Sequence, residues 1–209
     1  MNIQTLTQKP IKLVPIFVCI LGLGFAGVSQ SAPRPAPRST APQLVQLDAK
    51  VNGAERPVTL NLVKGTYEVK PVGKAAGGVH EAWSVWDRTN CPRAKGCPRI
   101  VPTRFTGMHN NYYITSAKIT NVTVDGTSLP VVKEIPQYRD YSYVLQAGQN
   151  TSYEVTDNFT YPDEASALAT AKTSVFTLSA DGPVMFALLD KSRITDNRGG
   201  MTLQVRKLN

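Results

Sequence analysis

Residues 112–126 read YYITSAKITNVTVDG, a run in which β-branched and aromatic residues alternate with small polar ones before an Asp-Gly pair. Period-two alternation closed by Asp125-Gly126 is the pattern of a half-buried strand that reverses in a tight turn. The same rhythm recurs outward along the chain. Runs of this kind cover 44–47, 58–63, 66–72, 141–145, 151–155, 175–178, 184–189 and 201–205. Lys64-Gly65, Ala147-Gly148 and Asp181-Gly182 fall between them, at the places where strands would reverse, and several read as hairpins. Helical composition is confined to 163–172, DEASALATAK, which is Ala-rich, opens on acids and closes on Lys172, as a helix dipole prefers. Many short strands with at most one short helix predict an all-β fold, an antiparallel two-sheet β-sandwich or jelly roll.

The N-terminus has another character. Lys9 and Lys12 precede an uncharged apolar run of 16 residues, 13–28, and small residues follow around 29–32. That is the layout of a secretory signal over residues 1–31, and the run is short of the ~20 residues a bilayer span requires. Residues 32–42, APRPAPRSTAP, cannot bury apolar surface and favour extended polyproline-like conformations, so 32–43 reads as an arm ahead of a single domain over 44–209. Export to the periplasm or beyond is the expected localisation, with no stable membrane span.

The formal net charge is +8; without 1–31, the 23 basic residues fall to 21 against 15 acidic ones, leaving +6. These charges are scattered, with none of the dense basic clusters that phosphate-backbone binding uses, so nucleic acid is not the expected partner. Beyond Cys19, the cysteines are Cys91 and Cys97, in CPRAKGC. In an exported chain they predict one disulfide that shapes a short loop. The spacing is not Cys-x-x-Cys and no histidine is near, which disfavours zinc.

Residues 184–205, VMFALLDKSRITDNRGGMTLQV, hold the densest functional signal. A strand delivers Asp190 to its end, and a loop with Asp196, Asn197, Gly199 and Gly200 leads into the next strand. Carboxylates, an amide and loop carbonyls are the oxygen ligands calcium takes, with glycines to fold the backbone around the ion. Lys191, Arg193 and Arg198 open a second reading, in which the two aspartates pair with bases and Asp-Asn and Gly-Gly only form turns. A second signal is aromatic: His80, Trp83 and Trp86 in HEAWSVW, where ring faces could stack on sugars while polar neighbours bond hydroxyls. Residues 138–143, YRDYSY, read either as an exposed edge with ligand-binding tyrosines or as an alternating strand, and alternation favours the strand.

The strand ending in Asp190, the loop closing on Asp196-Asn197 and the final amphipathic strand resemble the C-terminal end of bacterial galactose-specific lectins of the PA-I type. Residues 65–83, with GTYEVKPVG, a glycine-rich loop and Trp83, are similar to an early strand, loop and Trp of the same family. The resemblance implies a galactose-binding-like jelly roll and a calcium ion held by Asp190, Thr195, Asp196 and Asn197 that also meets sugar hydroxyls. The loop after Asp190 is one residue shorter than the family's pattern, so sugar specificity does not carry over.

No Gly-x-Ser-x-Gly elbow or His-Glu-x-x-His helix is present, and no spacing fixes a catalytic carboxylate pair. The expected function is therefore non-catalytic: a lectin-like carbohydrate-binding domain, with a cell-envelope structural or interaction module as the alternative.

Overall fold

The computed structural model describes residues 41–87, 104–136, 141–156, 159–188, 190 and 197–208. Among these residues fourteen strands form in chain order: β1 (Gln43–Asp48), β2 (Val58–Leu62), β3 (Gly65–Val72), β4 (Trp83–Asp87), β5 (Arg104–His109), β6 (Tyr112–Ser116), β7 (Ile119–Val124), β8 (Thr127–Ser128), β9 (Val131–Val132), β10 (Val144–Ala147), β11 (Asn150–Val155), β12 (Ser174–Leu178), β13 (Gly182–Ala187) and β14 (Arg198–Lys207). Helix α1 (Glu164–Thr170) lies within the predicted helical stretch. The Asp163 side chain accepts from the Ser166 N–H at its start, which holds that carboxyl below its ordinary pKa.

The strands make a two-sheet sandwich. The larger sheet runs β5-β4-β14-β3-β12-β7-β8, with β1 also on β14; the smaller runs β2-β13-β6-β11-β10-β9. Ladders among the described residues are antiparallel apart from the short β9–β10 pair. Strand β14 is the hub of the larger sheet. It pairs with β3 along Thr202–Lys207 on one edge, while the other edge is shared by β1 and, at Arg198 and Gly199, by β4.

The turn signals divide into two kinds. Asp125-Gly126 and Gly148-Gln149 close true hairpins, β7–β8 and β10–β11. Asp125 and Gly126 have φ of 46 and 79, the left-handed pair that a two-residue turn needs to match strand twist. Lys64-Gly65 and Asp181-Gly182 instead carry the chain from one sheet to the other. These two corners meet, with the Lys64 N–H donating to an Asp181 carboxylate oxygen at 2.7 Å. The run 112–124 is likewise not one strand: β6 belongs to the smaller sheet and β7 to the larger. Its buried residues are Tyr112, Ile114 and Ser116, then Ile119, then Val122 and Val124. That parity changes at the 117–118 corner and is restored at Asn121, whose φ of 50 belongs to an irregularity in the β7–β12 ladder.

Inward residues of both sheets form the core, among them Tyr67, Val69, Phe176 and Leu203 from the larger sheet and Tyr112, Ile114, Tyr153 and Phe186 from the smaller. Phe176 ties the layers together, stacked on Tyr67 at 5.6 Å within its own sheet and tilted against Tyr153 at 6.2 Å across the interface. Two residues earlier, Ser174 is fully buried. The Tyr112 hydroxyl donates to its Oγ at 2.9 Å, and the Tyr153 hydroxyl lies 3.2 Å from the same atom.

Removing Ser174 Oγ strands the buried Tyr153 phenol and leaves the Tyr112 hydroxyl only its longer contacts to the Val69 and Lys172 carbonyls at 3.3 and 3.2 Å, so Ser174→Ala should lower stability by about 1–3 kcal/mol, read as a reduced urea midpoint. Burial raises the pKa of both Tyr112 and Tyr153 above the ordinary 10.0. The stability this contributes is complete below the unfolded-state value and is lost as pH rises past it. Melting temperature should therefore fall steeply above about pH 10, and a Tyr112→Phe, Tyr153→Phe variant should show a shallower alkaline decline.

Candidate binding cleft

The C-terminal segment is organised by its glycines. Gly199 has φ of 75, and a Cβ there would sit 2.5 Å from the Ala82 carbonyl oxygen. A Cβ on Gly200 would fall onto the Leu47 carbonyl and lie 2.7 Å from the His80 ring. Both glycines thus belong to β14, pinched between β1 and the chain before β4, and close strand packing requires them. His80 is half-buried beside Gly200, and its N–H donates to Thr202 Oγ1 at 3.1 Å.

Asn197 is completely buried. Its Nδ2 donates to the Ala49 carbonyl at 3.2 Å, and its Oδ1 has no hydrogen-bond partner among the described residues. A buried orphan oxygen is the donor type that a hard cation takes, so Asn197 fits the expected calcium. Asp190 is half-buried after β13. Thr195 and Asp196 lie outside the described residues, as do Cys91 and Cys97. Among the described residues there is no cluster of three or more His, Cys, Asp or Glu side chains that could hold a metal.

Trp83, expected to present a face to a sugar, is a core side chain. It is 2% exposed, its indole N–H donates to the Asn111 carbonyl at 3.2 Å, and its ring lies against His109 at 4.9 Å. A large apolar ring between three strands gains more from burial than from exposure. The Trp86 side chain lies outside the described set.

An accessible aromatic occurs elsewhere, where the two sheets end at β8 and β9. Residues 129 and 130 cross from one sheet to the other there, held by Leu129 N–H to the Val122 carbonyl at 3.2 Å and Val144 N–H to the Pro130 carbonyl at 2.9 Å. Beside this strap opens a cleft of about 390 Å³, within the roughly 300–1,000 Å³ of small-molecule sites. Tyr141, 47% exposed, stands on one wall, edge-on to buried Tyr143 at 6.5 Å. Its position is fixed because Ser142 Oγ donates to the Thr156 carbonyl at 3.1 Å and accepts the Thr156 N–H at 3.0 Å. Asp125, Thr127, Ser128 and Lys172 line the same cleft. Asp125 is anchored at both ends, its N–H to the Thr173 carbonyl at 2.9 Å and its Oδ1 to the Thr173 N–H at 3.0 Å. Among the described residues the side-chain polar atoms of Thr127, Ser128, Tyr141 and Lys172 make no hydrogen bond, so they are available to a ligand.

The described part of 138–143 is not strand: residues 141–143 precede β10, which begins at Val144, and Tyr141 is exposed, while 138–140 lie outside the described residues. The tyrosine-rich composition was the signal; the alternation in it concealed the change of exposure between Tyr141 and Tyr143. No family model, no curated protein and no solved structure matches the chain.

The packing around β14 gives a direct check. Gly200→Ala should cost about 1–3 kcal/mol in denaturant unfolding, because its clash is with backbone. Gly182→Ala, whose new Cβ meets only Lys118 Cγ at 3.9 Å, should stay within about 0.5 kcal/mol of the parent.

Proposed function

We propose that this is an exported, non-catalytic carbohydrate-binding domain whose ligand occupies the Tyr141 cleft. The observation that carries the reading is an exposed aromatic ring in one cleft with the unspent hydroxyls of Thr127 and Ser128, the unspent ammonium of Lys172 and the Asp125 carboxylate, one oxygen of which is held by Thr173. A sugar presents an apolar ring face and an edge of hydroxyls; the first stacks on Tyr141, and the second bonds Thr127, Ser128, Asp125 and Lys172. Both walls are anchored through backbone hydrogen bonds, so little ordering cost falls on binding. The secretory signal in residues 1–31 supports export, and the loop of Asp190, Thr195, Asp196 and Asn197 is read as a calcium site supported by the orphan Oδ1 of Asn197. In this reading calcium ties the β13–β14 connection, and the resemblance to galactose-specific lectins extends to the jelly-roll class and not to the position of the sugar.

One observation favours a second reading. Trp83, one of the two tryptophans that the sequence offers as a sugar platform, is spent on the core, which a cell-envelope interaction module that binds no sugar also accounts for.

A glycan array followed by titration tests the first reading: the parent should bind at least one glycan, and Tyr141→Ala should weaken that binding by about tenfold or more. Retained affinity in Tyr141→Ala would move the site elsewhere, and an array without hits would leave the envelope module. Calcium is tested separately. At about 100 times its dissociation constant it should stabilise the native state by roughly 2.7 kcal/mol, and an Asp190→Ala, Asn197→Ala variant should lose that increment.

A further inference from the structure

We infer that the ligand is a linear oligosaccharide lying across the Ser128–Leu129 strap and occupying two clefts at once, an inference that rests on the carbohydrate reading. The second cleft, about 190 Å³, lies against the same Ser128 and Leu129 and is bounded by Asn121, Val131, Gln146 and Thr151. It is smaller than the roughly 300 Å³ at which ligand sites begin, so by itself it is a poor pocket. As the continuation of a 390 Å³ cleft with two residues in common, it is the natural seat for the next unit of a chain.

Its chemistry agrees. The side-chain amides of Asn121 and Gln146 make no hydrogen bond among the described residues, and an amide offers a donor and an acceptor side by side to vicinal hydroxyls. Asn121 is held in the left-handed region at φ 50, a conformation that costs an L-residue energy and that Asn tolerates better than most. The bulge there displaces β7 from regular pairing beside the second cleft. Ser128 is the saddle between the clefts: exposed, without an internal hydrogen bond from its side chain, and fixed because β8 pairs Thr127 and Ser128 with Val124 and Thr123. The aromatic cleft supplies stacking and the amide cleft supplies directional bonds, so affinity grows with chain length.

The test is calorimetric titration of the full secreted protein with cello-, malto-, galacto- and chito-oligosaccharides of one to six units. The expected result is affinity rising about tenfold or more from the single sugar to the longer members of at least one series. An Asn121→Ala, Gln146→Ala variant should remove that rise and leave single-sugar binding unchanged, while Tyr141→Ala weakens every length. Both altered amides are exposed, and because alanine at the φ of 50 of residue 121 costs some stability, a single cooperative melting transition well above the titration temperature confirms folding. Binding with no dependence on length, or a length dependence that survives the amide variant, overturns the two-cleft inference and leaves the single-cleft reading standing. No binding to any series overturns both.

Discussion

Two apolar sheet faces must stay in register across the sandwich, and β12 holds them there. Phe176 stacks on its own sheet and reaches Tyr153 in the other, while Ser174 receives Tyr112 and sits beside the Tyr153 hydroxyl. Dispersion alone tolerates sliding; the hydrogen bond of Tyr153 to Ser174 does not, because that phenol has no other partner among the described residues and would remain unsatisfied in a dry core. The position of β12 in turn fixes the chain just before its first residue. Thr173 grips Asp125 from both sides, so a core constraint is transmitted, within two residues, to the rim of the cleft.

The cleft itself is a consequence of how the chain changes sheets. Strands β8 and β9 are two residues each, too short to extend their sheets, and they are joined by a strap that leaves one sheet and enters the other. The edges therefore do not close against each other. The gap is lined by Leu129 and Pro130 of the strap, by residues of the β7–β8 hairpin and by Tyr141. Short edge strands also limit edge-to-edge pairing with other chains, so the same feature protects the sandwich and leaves the cleft open.

At the opposite functional candidate, the geometry redistributes roles that one stretch of sequence combined. Gly199 and Gly200 serve the contact of β14 with Ala82 and Leu47; His80 covers that contact; Trp83 fills the core beneath it. Asn197, at the start of β14, keeps a buried oxygen without a donor. The composite of glycines and aromatics resolves mostly into a packing solution, with the Asn197 oxygen left over at the start of β14.

The all-β class, the two hairpin turns and the helix at 164–170 were legible in the sequence, because period-two alternation, left-handed turn residues and an Ala-rich segment behind a capping Asp163 are local properties. The pairing of strands was not. Lys64-Gly65 and Asp181-Gly182 are turn signals of the same strength as Asp125-Gly126, yet they connect different sheets, and the 112–124 run divides between sheets with only a parity change to mark it. Composition likewise nominated Trp83 and left Tyr141 within an apparent strand. Whether an aromatic side chain becomes core or platform depends on what lies across from it: β5 and β14 flank Trp83, whereas Tyr141 precedes β10 at the open end of the sandwich. Local chemistry is written in neighbouring residues; exposure is decided by distant ones, and only the tertiary structure brings those together.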